Sequence, residues 1–284
     1  MMEQNNIVVD DVKIPTIGFV ILTWNSENYI SECLDSLLKI RNYKIYISIF
    51  DNGSTDNTKA ILDSYATKEN FFIKKNDKNL GTTISRNQAL KQLPKTDYIV
   101  ILDSDTIISD YSGLDKAIEI LNNDETIGII GPKLIDDKGV MQYSGRNIPT
   151  IKEKFLKAIT HKNGKKISNL EHVDYEEKED LFCVGYLMSA AWIMRRDFFE
   201  KNGYLDEKIF YAPEDVEYCV RAWINGYKVC YYKKFFIIHY WQRISKKKFF
   251  SKHNFEHIKG LIYFFHKYNK KTLNMIKMKV ENDG

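Results

Sequence analysis

Four times within about ninety residues, a short apolar run is followed by a stretch with apolar residues at helical spacing, and few folds accommodate that alternation. "IGFVILTW" (Ile17–Trp24) is continuously apolar, as expected of a strand covered on both faces. In "NSENYISECLDSLLKI", Tyr29, Ile30, Cys33, Leu34, Leu37 and Leu38 share a helical face, with Asn25 or Ser26 able to cap it. "KIYISIFD" (Lys44–Asp51) then runs through the turn "NGSTD" into a helix carrying Ile61, Leu62 and Tyr65. "FFIKKN" (Phe71–Asn76) is a third strand, "TTISRNQALKQL" a third helix and "YIVILD" (Tyr98–Asp103) a fourth strand. The expected fold is α/β, with a mainly parallel central sheet flanked by helices.

Sheets of this kind bind ligands beyond the carboxyl ends of their strands. Three polar clusters fall at such ends: Thr23 to Asn25, Asp51 to Asp56, and Asp103 to Asp105. Asp-x-Asp alone is a weak signal and can be a solvated strand end. At the end of a buried strand, however, the two carboxylates can share one hard divalent cation and leave positions for phosphate oxygens.

Beyond Ile127 the rhythm changes. "IGIIGPKLI" reads as another strand, and the charged segment from Asp136 to Asp180 as mobile loops. In "FYAPEDVEYCVRAWINGYKV", Val216, Cys219, Val220 and Trp223 have helical spacing, Pro213 suits a first turn, and Asn225-Gly226 suits a stop. Glu214 and Asp215 then lie at a helix N-terminus. Carboxylates there can simply complement the helix dipole, or one can serve as a general base if a cleft adjoins it.

Charge is unevenly spread. The net charge is only +4, yet 11 of the 42 Lys and Arg, and only 3 of the 38 Asp and Glu, lie from Arg243 onward. Such a tail suggests an acidic partner surface. Within it, Phe255, Ile258, Ile262 and Phe265 have helical spacing. Two placements are open: the stripe packs on the body while the lysines face water, or the helix lies on an anionic bilayer. Packing is preferred, because aromatic stripes more often belong to a core. Cys33, Cys183, Cys219 and Cys230 sit in apolar runs without a C-x-x-C pair and read as reduced core thiols. "MMEQNNIVVDD" lacks a signal-peptide pattern, and the apolar stretch Leu181–Met194 is too short to span a bilayer. The expected location is cytoplasmic, with the inner face of the cell membrane as a second possibility.

The ordered series "DNGSTD", "NLGTTISRN", "LDSD", "NGYLDEKIFYAPEDVEYCVRAWINGYKVCYY" and "IIHYWQRIS" resembles the family 2 glycosyltransferases, and within them the bacterial rhamnosyltransferase-like branch. The likeness covers roughly Ile17 to Ser245. It implies a nucleotide-binding fold of the glycosyltransferase A type with a helical C-terminal extension. It also implies inverting, metal-dependent transfer from a nucleotide-diphosphate sugar (UDP- or dTDP-linked) to a hydroxyl of a glycan or lipid-linked acceptor in surface-polysaccharide synthesis. Thr23, Trp24 and Asn25 would border the nucleoside, and Asp51 would receive a hydrogen bond from its base. Asn79, Gly81 and Arg86 would flank the nucleotide. Asp103 would face the ribose and the metal, Asp105 would ligate Mg2+ or Mn2+ directly, and His239 would complete that site. Asp215 would be the catalytic base, supported by Glu214. Trp24 replaces a more usual Tyr, and His239-Tyr240 a more usual pair of histidines.

The corresponding division is a leader at 1–15, a nucleotide-sugar half at 16–135, an acceptor and catalytic half at 136–242 and a basic amphipathic extension at 243–284. A nucleotidyltransferase, the main rival, should carry a Gly-rich basic loop after the first strand, and "TWNSEN" has neither Gly nor Lys. A dinucleotide-dependent oxidoreductase lacks its G-x-G-x-x-G. A non-enzymatic membrane- or nucleic-acid-binding module would use the tail but leave the acids on the rim unexplained; no nucleic-acid partner is expected.

Overall fold

The computed structural model describes residues 14–150, 173–241 and 252–283. Its first part follows the alternation: β1 (Thr16–Thr23), α1 (Ile30–Leu37), β2 (Lys44–Asp51), α2 (Thr58–Tyr65), β3 (Phe71–Lys75), α3 (Thr82–Gln92) and β4 (Tyr98–Asp103). Then come β5 (Thr106–Ile107), α4 (Tyr111–Asn123), β6 (Ile127–Ile135), β7 (Met141–Gln142) and β8 (Gly145–Arg146). The apolar stretch near Leu181 divides into β9 (Leu181–Cys183), β10 (Tyr186–Leu187) and β11 (Ala191–Arg195). After α5 (Arg196–Asn202) and α6 (Glu214–Ile224), the long strand β12 (Lys228–His239) is followed by α7 (Lys252–Lys267) and α8 (Lys270–Asp283).

The main sheet runs β3-β2-β1-β4-β11-β6-β12-β5, with β7 beside β6 and β9 beside β12. Strands β3, β2, β1 and β4 are mutually parallel, as are β6 and β12; β11 is antiparallel to both β4 and β6. One sheet therefore joins residues on either side of position 136. Phe19, Ile21, Ile47, Ile49, Val100 and Ile101 are fully buried, which accounts for the unbroken apolar runs. Each such side chain contributes about 1.5–3 kcal/mol by leaving water. Helix α3 lies across β1 and β2, where Ser48 Oγ donates to the Ala89 carbonyl at 2.6 Å.

Three expectations are revised. Ser26 does not cap α1 through its side chain; its carbonyl accepts from Tyr29 and Ile30, and its hydroxyl is 2.8 Å from that of Ser104. Asn25 instead takes φ 53° and accepts from the Thr55 amide at 2.8 Å. The segment 136–180 is not all loop: β7 and β8 lie within it, and some of its residues are built into the body. Tyr175 is buried, stacks on Tyr231 at 4.6 Å and donates to the Gly145 carbonyl; the "HKNGKKISN" loop lies outside the described residues.

The third revision concerns α7. Phe255, Ile258 and Ile262 are 60%, 55% and 66% exposed, and Phe265 is half-buried. The face that packs carries Gly260, Phe264 and Tyr268, and α8 adds Leu273, Ile276 and Val280. Close approach and charge pairing select this face. A Cβ on Gly260 would stand 2.2 Å from the Ala212 carbonyl oxygen. Lys267 reaches Asp206 at 2.6 Å and buried Glu217 at 2.8 Å, and the Tyr268 hydroxyl donates to Glu217 at 2.8 Å. A buried carboxylate needs such partners, and here they all come from the C-terminal helices and Arg221.

Candidate active site

Beyond the carboxyl ends of β1 and β4 lies a cleft of about 320 Å3. It is walled by the β1 and β4 ends, the α3 N-terminus, the loop before β11 and the loop leading into α6. Gly81 shows how tightly these parts meet: it has φ 90°, and a Cβ would stand 2.4 Å from the Phe210 carbonyl oxygen. Glycine alone tolerates both conditions. The Thr82 amide donates to that same carbonyl at 2.7 Å, joining α3 to the loop before α6.

Asp103 ends β4, and the chain turns within two residues into β5. That two-residue strand pairs antiparallel with the end of β12, placing His239 opposite Thr106, and the Tyr240 amide donates to the Asp105 carbonyl at 2.9 Å. The pairing brings a histidine from the far end of the chain to the Asp-x-Asp turn. His239 Nε2 is 3.5 Å from Asp105 Oδ1. Asp103, Asp105 and His239 each offer a ligand atom, all within 4.8 Å of one another. Two carboxylates and an imidazole fit a divalent cation such as Mn2+ or Mg2+. Burial would depress the His239 pKa, but its contact with Asp105 and the negative charges of Asp105 and Asp103 raise it overall.

Arg86 spans the cleft floor. It is 3% exposed and donates to Asp103 Oδ1 at 2.6 Å, to Glu214 Oε1 at 3.3 Å and to the Ser189 carbonyl at 3.2 Å. Its Nε is buried without a hydrogen-bond partner among the described residues. Glu214 opens α6 and also accepts from the Ser189 hydroxyl at 3.0 Å. Burial and then the neighbouring Asp215 charge push its carboxyl up to about 8, against the pull of Arg86. Burial raises the Asp103 carboxyl as well, although Arg86 opposes the shift. Asp215 is half-buried and lines the cleft, with its Oδ1 accepting from the Val216 amide at 2.8 Å.

The Glycosyl transferase family 2 profile matches residues 19–203, well over half of the sequence. The chain belongs to glycosyl transferase family 2. One family relative is the O-antigen chain rhamnosyltransferase WbaN of Salmonella anatum, 26% identical over 219 residues, which are 77% of this chain and 62% of WbaN. Another is the poly(ribitol-phosphate) beta-N-acetylglucosaminyltransferase TarS of Staphylococcus aureus (strain Mu50), 32% identical over 126 residues. That match covers 43% of this chain and 22% of TarS. The chain thus spans less than two-thirds of the length of these relatives. A crystal structure of GalNAc-T7 with UDP, GalNAc and Mn2+ superposes with a TM-score of 0.65 at 17% identity, covering 92% of this chain and 49% of that one. The family 2 fold here is of the glycosyltransferase A type.

Of the residues singled out in the family 2 sequence, Trp24, Asn79, Gly81, Arg86, Asp103, Asp105, Glu214, Asp215 and His239 line the cleft together. Thr23, Asn25 and Asp51 stand beside it without lining it. Asp51 is fully enclosed: it accepts from the Thr23 and Ser54 hydroxyls and from the Ser54 amide at 3.0 Å. Asn52, the next residue, does reach the cleft; its Oδ1 accepts from the Leu80 amide at 2.7 Å and the Ser85 hydroxyl at 2.9 Å. Tyr211, in the "FYA" that the sequence placed beside a cleft, lines it as expected; sequence reasoning missed Asn52, Ser189, Trp241 and Gln142. Asn52 and Trp241 adjoin recognised motifs and could have been found there. Ser189 and Gln142 carry no local signal.

Proposed function

We propose that this chain is an inverting, metal-dependent glycosyltransferase moving a sugar from a nucleotide-diphosphate donor to a hydroxyl of a glycan or lipid-linked acceptor in surface-polysaccharide synthesis. The observation that carries this reading is one cleft holding the Asp103–Asp105–His239 group together with Arg86, Glu214 and Asp215. WbaN and TarS, as a rhamnosyltransferase and an N-acetylglucosaminyltransferase of bacterial surface polymers, support the acceptor class. The GalNAc-T7 complex with UDP and Mn2+ supports the donor and cation class. Residues 16–135 serve chiefly the donor, 136–242 the acceptor and the chemistry, and 243–284 form the extension.

The nucleoside end of a UDP- or dTDP-linked donor rests on Trp24, beside Asn25 and the Thr23–Asp51–Ser54 cluster, with Asn79 and Gly81 flanking it. Asp103, Asp105 and His239 would hold Mg2+ or Mn2+, which would supply positive charge to the diphosphate leaving group. Arg86 adds its own charge as the bond from the anomeric carbon to the diphosphate oxygen breaks. The acceptor oxygen forms the new bond from the opposite face, inverting the carbon, and its proton passes to Asp215. Glu214 keeps the α6 start in place through Arg86 and Ser189. Because burial and Asp215 favour its protonated form, the cleft carries one less negative charge where an anionic donor must bind.

The exposed face of α7, with the basic residues around it, is assigned to peripheral contact with the inner face of the cell membrane, where lipid-linked acceptors reside. The deciding experiment is a thermal-shift screen of nucleotide sugars with and without Mn2+, followed by a transfer assay on the donor that binds. A UDP- or dTDP-sugar should raise the melting temperature only with the cation, through mass action on the folded state. If no nucleotide sugar changes the melting temperature in either buffer, the reading fails.

A further inference from the structure

Gln142 contacts a single residue twice. Its Nε2 donates to the main-chain carbonyl of His239 at 2.8 Å, and its Oε1 lies 2.7 Å from His239 Nδ1. Both residues are buried, at 9% and 4% exposure. A carbonyl oxygen can only accept, so the amide group facing it has to be the NH2 group. The amide oxygen is thereby turned to the ring, and an oxygen 2.7 Å from Nδ1 requires a hydrogen on that nitrogen. Sheet register supports the arrangement: Gln142 pairs with Leu134 on β6, and β6 pairs with β12 up to Ile238. Gln142 and His239 are thus set by backbone ladders on both sides rather than by a loose loop.

The other ring nitrogen is the atom that faces Asp105 within the Asp103–Asp105–His239 group. A nitrogen that carries hydrogen cannot donate its lone pair to a metal. The geometry points to Gln142 as a positioning residue that fixes the His239 proton on Nδ1 and keeps Nε2 as a donor atom for a divalent cation; the inference rests on the metal-dependent reading above. Glutamine suits the task because one side chain supplies both the acceptor for Nδ1–H and the donor that fixes its own orientation. Leucine has a similar volume and supplies neither.

Two measurements on the full chain test this. The first is calorimetric titration of Mn2+ into the wild type, Gln142→Leu and Gln142→Glu, with metal-free melting curves to register folding. Gln142→Leu should weaken Mn2+ binding by about 10–100-fold. Gln142→Glu, which keeps an acceptor for Nδ1–H, should recover most of the affinity. The second is long-range 1H–15N correlation of the histidine rings at a pH well above the imidazole range, with His239 assigned by its loss in His239→Gln. The wild type should carry hydrogen on Nδ1. Hydrogen on Nε2, or a folded Gln142→Leu within about twofold of wild-type affinity, overturns the proposal; the twofold limit is set well below the loss expected for removing a residue that orients a metal ligand. A wild type that binds no Mn2+ removes the metal reading itself, whereas the ring spectrum needs neither metal nor variant and still decides which nitrogen holds the hydrogen.

Discussion

Glu214→Gln should abolish a pH dependence of stability. In the folded chain the Glu214 carboxyl is pushed up to about 8 from an ordinary 4.5, by burial first and by the charge of Asp215 second. A carboxyl that holds its proton more tightly when folded contributes stability that is fully present below 4.5 and declines as pH rises to about 8. The ceiling on that decline is about 1.4 kcal/mol per pH unit. Half of it, about 0.7 kcal/mol per unit, is a reasonable expectation once relaxation around Arg86 is allowed for. Glutamine keeps an oxygen for Arg86 and Ser189 but cannot ionise. The variant should therefore melt with the wild type near the acid end of the window and above it near the alkaline end. At roughly 2–4 °C per kcal/mol for a domain of this size, the gap should widen by about 1–3 °C per pH unit. Metal-free melting curves of both proteins across the window would measure it. A gap that stays constant from acid to alkaline pH would refute the assignment of a bound proton to Glu214.

Asp215→Asn should lower turnover by at least about 10²-fold while donor affinity stays nearly unchanged, since a base acts on the acceptor proton and not on the nucleotide; a variant retaining most of its turnover would move the base elsewhere. Asp105→Ala should remove Mn2+-dependent nucleotide binding in a calorimetric titration, and unchanged binding would exclude Asp105 as a ligand. Gly81→Ala meets both φ 90° and the Phe210 carbonyl at 2.4 Å, so it should cost about 1–3 kcal/mol, visible as a lower melting temperature. Replacing Phe255, Ile258 and Ile262 with Ser should abolish co-sedimentation with anionic vesicles and leave the melting temperature unchanged; retained sedimentation would remove the α7 face from the membrane contact.

Much of the first half of the sheet was legible because its cues are local. The β1 and β4 runs are apolar without interruption and β2 is broken only by buried Ser48, since both faces of each strand are covered, and each ends in polar residues where the cover stops. Glu214 and Asp215 were placed by Pro213 before them and Asn225-Gly226 after them, all within one helix. The order of strands beyond β4 was not legible. Nothing in "AWIMR" announces that it will enter antiparallel between β4 and β6, because periodicity reports burial and not partner. Nor could Arg86 be read as the bridge from Asp103 to Glu214, a residue 128 positions away from Arg86. The link between Asp105 and His239 depends on a ladder of two residues in β5, too short to carry a pattern.

The C-terminal helices show how a correct periodicity can select the wrong face. Phe255, Ile258, Ile262 and Phe265 satisfy helical spacing, but so do Gly260, Phe264 and Tyr268 on a neighbouring face, and hydrophobicity alone ranks the first set higher. What reverses the ranking lies elsewhere in the chain. Glu217 is fully buried on α6, and burying a carboxylate requires compensating donors. Besides Arg221, the donors come from the face bearing Lys267 and Tyr268, and Gly260 lets that face approach the Ala212 carbonyl. The same contact lies directly behind the Ala212-Pro213 link that starts the Glu214–Asp215 helix. The extension is therefore coupled to the loop before α6 through one side while Phe255, Ile258 and Ile262 remain outward on the other.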